Sequence, residues 1–193
     1  MDTFLFDLDG TLLPMDQEEF ISIYFRGITK KLIPYGIDPK TLIEMISKGT
    51  NAMILNDGSM LNSERFWKTA ALFLGERIHD YEDIFLNYYD NEFMNAKAAT
   101  TASPVAKECI YNLIKKGYRV ILATNPLFPQ IATYNRIKWA GLKPEDFEWI
   151  TTYENSSYCK PNLKYYEEIL QKLKLTADQC IMVGNDVGDD MVA

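Results

Sequence analysis

The chain is poor in the residues that build disulfide, zinc and histidine sites. Its 193 residues include three cysteines (Cys109, Cys159 and Cys180) and one histidine, His79. No two cysteines form a CxxC pair, which argues against a disulfide scaffold and against zinc. A lone histidine likewise argues against a histidine nucleophile or a histidine-rich metal site. We expect Cys109 and Cys180, which fall in apolar patterns, to be buried thiols in a reducing compartment.

Long apolar runs and an excess of basic charge are also missing. No stretch approaches the ~20 apolar residues of a transmembrane helix, and the acid-bearing start does not resemble a signal peptide. We therefore expect a cytoplasmic protein. The 27 acidic residues outnumber the 20 basic ones, for a formal net charge of −7. This balance argues against nucleic acid or an anionic membrane as the main partner.

Three common ligand motifs are absent as well. The chain has neither a P-loop nor a GxGxxG fingerprint, and the spacing of Gly184 and Gly188 does not fit a dinucleotide site. An EF-hand loop needs glycine at its sixth position, whereas Gly10 is the fourth residue counted from Asp7. Nucleotide cradles and calcium loops of these types are thus excluded.

The first apolar run of the chain ends in two acids. Residues 4–11 have the sequence FLFDLDGT, and a continuous hydrophobic run is typical of a strand buried on both faces. Because side chains alternate along a strand, Asp7 and Asp9 are predicted to project the same way. Like charges this close repel, so the pair needs a cation, a shared proton or water. The alternative is a strand that ends in a solvated turn.

Three later segments place further polar residues after apolar runs or before a helix. Residues 119–123 (RVILA) are followed by Thr124-Asn125-Pro126, and residues 180–183 (CIMV) by the acidic segment 184–190 (GNDVGDD). Lys160 stands at the start of a helical pattern. In open α/β sheets, ligands bind at the carboxyl ends of the strands. The polar residues that follow the three apolar runs, in segments 4–11, 119–126 and 180–190, are therefore predicted to meet at one edge of a sheet.

The pattern changes twice along the chain. Residues 17–97 contain no β-rich run, and helices are predicted near 18–32, 39–54, 64–74 and 81–93, with their aromatic residues mainly in a core. From residue 98, strands alternate with helices near 105–116, 129–140 and 162–173. This predicts an α/β fold with a Rossmann-like parallel sheet core, with helices on both faces, plus an all-α helical cap inserted near the N-terminus.

The predicted domains follow from these changes. The core comprises residues 1–16 and 98–193, and the cap comprises residues 17–97, with a hinge at 98–102. The chain stops inside the first turn of a predicted helix, so we expect that a C-terminal part of the core lies beyond residue 193.

In this order, the four segments resemble the motif set of the haloacid dehalogenase (HAD) superfamily, whose commonest members are Mg²⁺-dependent phosphatases. The resemblance covers the core segments at both ends of the chain. It implies hydrolysis of a small phosphomonoester through an aspartyl-phosphate intermediate, with Asp7 as the nucleophile and Asp9 as general acid and then base. Dehalogenases of the superfamily lack the second aspartate, so Asp9 favours phosphoryl over halide transfer.

The resemblance also implies a set of site residues. The catalytic residues would be Asp7, Asp9, Thr124 and Lys160, the substrate-binding residues Gly10, Thr11 and Asn125, and the Mg²⁺ ligands Asp7, Asp9 (through its carbonyl), Asp186 and Asp190. The fourth motif departs from the commonest family pattern, because Asn185 stands where an acid usually follows the glycine. A slip of one residue would leave Asp189 as a ligand, and Asp189 and Asp190 are equally explained as charge at a helix N-terminus.

The expected partner is a small phosphorylated metabolite, neither nucleic acid nor membrane. The substrate and the oligomeric state are not predicted. Two alternatives stay open. A phosphomutase of the same superfamily would keep all four motifs, and a non-catalytic binding or regulatory protein could retain the fold, although the intact acids, Thr124 and Lys160 count against it.

Overall fold

Four parallel strands form the central sheet. The computed structural model describes the backbone of residues 1–193 and every side chain except those of Glu76, Ile78 and His79, so His79 lies outside the described side chains. The strands are β1 (Thr3–Phe6), β2 (Arg119–Leu122), β3 (Trp149–Ile150) and β4 (Cys180–Val183), in the order β3-β2-β1-β4. All three pairings are parallel, with Thr3 opposite both Arg119 and Cys180.

Seven α-helices accompany the sheet in the described chain. Four lie between β1 and β2: α1 (Gln17–Leu32), α2 (Pro39–Ile54), α3 (Asn62–Leu74) and α4 (Ile78–Asp90). The others are α5 (Pro104–Lys115) before β2, α6 (Gln130–Trp139) between β2 and β3, and α7 (Leu163–Leu173) between β3 and β4. Parallel neighbours need such crossover connections.

Helices cover both faces of the sheet. Leu5 and Ile121 point to one face and pack with Tyr165 and Ile169 of α7. The alternate residues of the same strands, among them Phe6, Val120 and Leu122, belong to a second cluster with Ile110 of α5 and Ile137 of α6. The period of two along each strand thus gives each face its own core. The predicted α/β fold with a parallel sheet is confirmed.

The helical insert shares its core with the sheet domain. The ring of Phe93, at the end of the insert, lies 5.2 Å from Trp139 of α6 and 6.1 Å from Phe128, centroid to centroid. Tyr24 of α1 also contacts Phe128, at 5.7 Å. The expectation that the insert's aromatics are mainly core holds for most of them, since Phe66, Tyr81, Phe85, Tyr88, Tyr89 and Phe93 are buried.

The two ends of the insert run side by side. The N–H of Asp16 donates to the carbonyl of Ala99 at 2.9 Å, and the N–H of Thr101 donates to the carbonyl of Pro14 at 2.9 Å. Both chain crossings therefore lie at one place, next to the predicted hinge at 98–102. The division into a core (1–16 and 98–193) and a cap (17–97) remains a proposal that this geometry supports.

The expectation of buried thiols is wrong for Cys109 and only partly met by Cys180. Cys109 is exposed, Cys180 is half-buried, and Cys159 is buried; all three are free. Only Ile110 is buried on α5, and an adjacent helical residue points about 100° away from it. Hydrophobic character alone therefore did not show which side of α5 faces the core.

No helix in the described part of the chain is long and apolar enough to cross a membrane.

Helices α2 and α3 pack closely at Gly49. A Cβ added at Gly49 would lie 2.6 Å from Cδ2 of the buried Phe66 ring. Gly49→Ala gains about 1 kcal/mol of helix propensity, whereas overpacking costs about 1–3 kcal/mol. We expect a net loss of about 1 kcal/mol in the free energy of unfolding, measured by urea denaturation. With Phe66→Leu in the background, Gly49→Ala should lose less; an equal loss in both backgrounds would contradict the steric explanation.

Candidate active site

An acidic cleft opens at the carboxyl ends of β1, β2 and β4. Its volume is about 180 Å³, and it is lined by Asp7, Asp9, Gln17, Thr124, Asn125, Lys160, Asn185, Asp186, Asp189 and Asp190. In an open parallel sheet, this is the edge where ligands bind. The structure therefore brings together residues from all four sequence segments. Gly10 and Thr11 do not line the cleft but contact Asn185, which does.

A buried lysine links the first and last strands. The ammonium of Lys160 donates to Oδ1 of Asp7 at 2.8 Å and to Oδ1 of Asp190 at 2.6 Å. The Lys160 side chain is only 1% exposed, as is that of Asp190. The other Asp190 oxygen accepts the backbone N–H of Asp186 at 3.1 Å. Protein donors thus contact both oxygens, and Asp190 holds the Lys160 ammonium; its role as a Mg²⁺ ligand stays a prediction.

Burial makes the Asp7 carboxyl a weaker acid than usual. Desolvation raises the pKa of Asp7 from 3.8 to about 6, although the attraction of Lys160 opposes that rise. Repulsion from Asp9 and Asp190 adds to it. Hydrogen bonding to Lys160 uses Oδ1. The second carboxylate oxygen, Oδ2, is therefore the one available to a ligand in the cleft.

Asp9 is paired with a cation that the sequence analysis missed. Nη1 of Arg136 donates to Oδ2 of Asp9, and the Arg136 side chain is 1% exposed. Its guanidinium also lies 4.5 Å from the centroid of the Phe128 ring and donates to Thr133. Burial raises the pKa of Asp9, and Arg136 is the main opposing influence. The remaining oxygen, Oδ1, is buried without a hydrogen-bond partner among the described residues.

The signal for Arg136 lay in the pattern of α6. The buried residues of this helix are Ala132, Thr133, Arg136, Ile137 and Trp139. Their spacing defines one helical face, and Arg136 occupies a core position on it. A buried arginine needs a partner, because a lone buried charge is strongly unfavourable. Reading the face, rather than counting its apolar residues, would have predicted an acid opposite Arg136.

Two glycines allow close approach at the site: Gly10 between the loops after β1 and β4, and Gly184 within the loop after β4. Gly10 has φ +90°, and a Cβ there would lie 2.6 Å from Nδ2 of Asn185. Next to it, the Thr11 hydroxyl donates to Oδ1 of Asn185 at 2.9 Å. A Cβ at Gly184 would lie 2.0 Å from a carboxylate oxygen of Asp190. These glycines are thus steric requirements of the site, and Asn185 bridges the two loops.

The segment after β4 is organised around Asp186. Oδ1 of Asp186 accepts the backbone N–H groups of Gly188 at 2.7 Å and Asp189 at 3.0 Å. Oδ2 of Asp189 accepts from Asn125 at 3.4 Å, and burial raises the pKa of Asp189. Both acids keep oxygens on the cleft, so the choice between Asp186 and Asp189 stays open.

Thr124 and Asn125 sit where β2 ends. The Thr124 carbonyl accepts hydroxyl hydrogen bonds from Thr151 at 2.6 Å and Tyr165 at 2.8 Å. These bonds fix the backbone, so the Thr124 side chain lines the cleft from a rigid position. Oδ1 of Asn125 is buried and unpartnered. Asn125 and Asp9 therefore offer two buried acceptors that lack a donor or a cation.

The donor set of the cleft suits Mg²⁺. Five aspartates face one buried ammonium and one buried guanidinium, and two of the acceptor oxygens have no partner. A divalent cation would offset that surplus charge. Among the described side chains, no three acidic, histidine or cysteine residues converge into a metal cluster. Mg²⁺ does not need one, because it is usually bound by one or two carboxylates and keeps several waters.

Comparison with known proteins gives one family and a set of similar folds. The model of the haloacid dehalogenase-like hydrolase family matches residues 1–193. No curated protein matches the chain. The chain is similar to a HAD phosphatase from Thermococcus onnurineus, with 20% identity, a TM-score of 0.57, and coverage of 98% of this chain and 80% of that one.

Two further solved structures share the fold. A predicted phosphoglycolate phosphatase from Haemophilus somnus has 19% identity and a TM-score of 0.56, over 98% of this chain and 79% of that one. CbbY from Rhodobacter sphaeroides, in complex with phosphate, has 18% identity and a TM-score of 0.57, over 94% and 76%.

The pKa of Asp7 predicts how its removal changes stability with pH. The folded state raises this pKa from 3.8 to about 6. Ionised Asp7 therefore destabilises the fold above pH 6, and the effect vanishes below pH 3.8, where both states are protonated. As the pH rises from 4 to 7, the unfolding free energy of Asp7→Asn should therefore increase by about 1–3 kcal/mol relative to that of wild type. Urea denaturation with a chelator present measures this.

The matched control is Asp83→Asn on the exposed side of α4. It is the same substitution at an exposed position, and it shows whether the gain expected for Asp7→Asn is specific to the buried site. If Asp7→Asn instead loses stability relative to wild type as the pH rises, the account of Asp7 as a desolvated carboxylate is wrong.

Proposed function

Because the chain belongs to the family of haloacid dehalogenase-like hydrolases, we propose that it is a Mg²⁺-dependent phosphatase that hydrolyses a small phosphomonoester. The main support for this proposal is the Asp7 carboxylate, which Lys160 holds at the end of β1 with Asp9 in the same cleft. The similar fold of proteins described as phosphatases supports the proposal.

In the proposed first half-reaction, Asp7 is the nucleophile. Its free oxygen, Oδ2, attacks phosphorus and forms an aspartyl-phosphate while the ester P–O bond breaks. Lys160 keeps Oδ1 fixed and so sets the direction of Oδ2. The departing alkoxide takes a proton from Asp9. Arg136 holds one Asp9 oxygen, which leaves Oδ1 to carry that proton.

In the proposed second half-reaction, Asp9 acts as a base. It accepts a proton from water as the water oxygen bonds to phosphorus, and the bond between Asp7 and phosphorus breaks. Inorganic phosphate leaves, and both carboxyl groups return to their starting states. One residue can serve both halves because its proton is donated in the first and recovered in the second.

The remaining side chains would bind the phosphoryl group and the metal. We propose that Thr124 and Asn125 contact phosphoryl oxygens, while Gly10 and Thr11 shape the loop that holds Asn185. Asp7, the Asp9 carbonyl and either Asp186 or Asp189 would hold Mg²⁺. When bound, the ion would offset the negative charge of the phosphoryl oxygens.

The insert, residues 17–97, is proposed as a cap that closes over the cleft and excludes water. Gln17, at the start of α1, already lines the cleft. We also propose a small phosphorylated metabolite as the partner and the cytoplasm as the location. A phosphomutase, or a protein that binds without turnover, remains the alternative.

Asp7→Asn should lower kcat by at least about a thousandfold, because an amide oxygen is a far weaker nucleophile than a carboxylate. Phosphate release from a panel of phosphomonoesters measures this. Asp83→Asn, on the surface of α4, should keep the wild-type rate. Activity of Asp7→Asn within tenfold of wild type would refute the covalent role. Turnover by wild type only with a sugar bisphosphate present would indicate a mutase.

The metal requirement distinguishes between Asp186 and Asp189 in the segment after β4. Phosphate release should stop in excess EDTA and return with Mg²⁺, while Ca²⁺ should substitute poorly because its ligands are more numerous and more distant. Asp186→Ala should raise the Mg²⁺ concentration for half-maximal activity more than Asp189→Ala does. The reverse order would assign the ligand to Asp189, and full activity in EDTA would refute the metal.

A further inference from the structure

A second cavity lies between the insert and the loop after β2. Its volume is about 200 Å³. The insert contributes Ile21 and Phe25 of α1 and Trp67 of α3, and the core contributes Leu127 and Phe128. The cavity is thus bounded by the two parts of the chain that the proposed closure would bring together.

Two segments contribute residues to both the cavity and the acidic cleft. On α1, Gln17 faces the cleft and Ile21, one helical turn later, faces the cavity. On the loop after β2, Asn125 lines the cleft, and Leu127, whose N–H donates to the Asn125 carbonyl, lines the cavity. One turn of helix is about 5.4 Å. The cavity and the cleft therefore lie next to each other along both segments.

The cavity is apolar, in contrast to the cleft. The hydroxyl groups of Tyr24 and Tyr89, which both line it, hydrogen-bond to each other at 3.0 Å. None of the described side chains that line the cavity is charged. An apolar cavity of about 150 Å³ can stay dry and bind benzene. This cavity is large enough for a ring of that size, and its described lining offers no charged group to hold a phosphate.

We propose that this cavity binds the leaving group of the substrate, and that the protein prefers phosphomonoesters of compact apolar alcohols. The inference rests on the proposed phosphatase activity. The phosphate would lie in the cleft against Lys160, and a group the size of one aromatic ring would lie against Phe128. A benzyl group meets these requirements, whereas a polyhydroxylated sugar does not.

Phe128 connects the cavity to the cleft through its contact with Arg136. It lines the cavity, and its ring lies 4.5 Å from the Arg136 guanidinium, which in turn donates to Asp9. A leaving group packed on Phe128 would therefore be linked through Arg136 to Asp9, the acid that would protonate it. Binding energy from this remote group can orient the reacting oxygen.

The test compares benzyl phosphate with 2-hydroxyethyl phosphate in the full chain with Mg²⁺. Both esters release alkoxides, and they differ chiefly in the apolar ring. Burial of a ring is worth about a ten- to hundredfold preference, so kcat/KM should favour benzyl phosphate by at least about tenfold. A ratio near one, or a preference for 2-hydroxyethyl phosphate, would overturn the proposal.

A variant that fills the cavity gives a second measurement. Thr50, on α2, lines the cavity, and Thr50→Leu adds apolar volume there. The benzyl-to-hydroxyethyl ratio of kcat/KM should fall at least about fivefold. The matched control is Thr69→Leu on α3, the same change at a half-buried position that does not line the cavity, and its ratio should equal that of wild type. Equal ratios in both variants would overturn the proposal.

A binding measurement separates this inference from the phosphatase proposal. Benzyl phosphate is titrated calorimetrically into Asp7→Asn with Mg²⁺ present, with and without Thr50→Leu. Weaker binding with Thr50→Leu supports the leaving-group site even if wild type hydrolyses neither ester, in which case the phosphatase proposal alone fails. Unchanged affinity, with hydrolysis of both esters by wild type, removes the leaving-group site and leaves the phosphatase proposal standing.

Discussion

The arrangement of the cleft depends on one buried ammonium group. Lys160 joins Asp7, at the end of β1, to Asp190, beyond the end of β4, and all three side chains are nearly excluded from water. Replacing such an ion pair by apolar residues is often neutral or stabilising, whereas removing one partner costs about 3–5 kcal/mol. Stability alone therefore does not explain why a buried lysine occupies this position. A role in the site does, because the Lys160 ammonium fixes one Asp7 oxygen and leaves the other available to a ligand.

An anion site in this acidic protein needs a local source of positive charge. With a formal charge of −7, the chain as a whole repels phosphate esters. Within the cleft, Lys160 and Arg136 are both buried, where electrostatic interactions are stronger than in water. Each already has a carboxylate partner, so together they do not supply a free positive charge. The surplus of carboxylates and the unpartnered oxygens of Asp9 and Asn125 explain why the proposal includes a divalent cation.

Much of this arrangement could be predicted from the sequence, and the parts that could not have a common reason. The strands, the helices and the shared cleft follow from local signals: β-rich runs, helical periodicity, and polar residues at strand ends. Arg136, the double engagement of Asp190 and the exposure of Cys109 depend on which side of a helix or loop faces the core. That choice is made by tertiary contacts, such as Arg136 with Asp9 or Gly184 with Asp190. A pattern gives the period of a helix more readily than its rotation.

The same distinction bears on the aromatic residues of the insert. Expecting them to be core and expecting some to line a binding cavity are compatible, because Tyr24, Phe66, Phe85 and Tyr89 are buried and yet line the cavity beside the cleft. The insert and the sheet domain share one hydrophobic cluster rather than meeting across a wet interface. Opening the insert would expose part of that cluster, which disfavours the open state. An apolar group held between α1 and Phe128 would contact both sides, and so would favour the arrangement in which Gln17 lines the cleft.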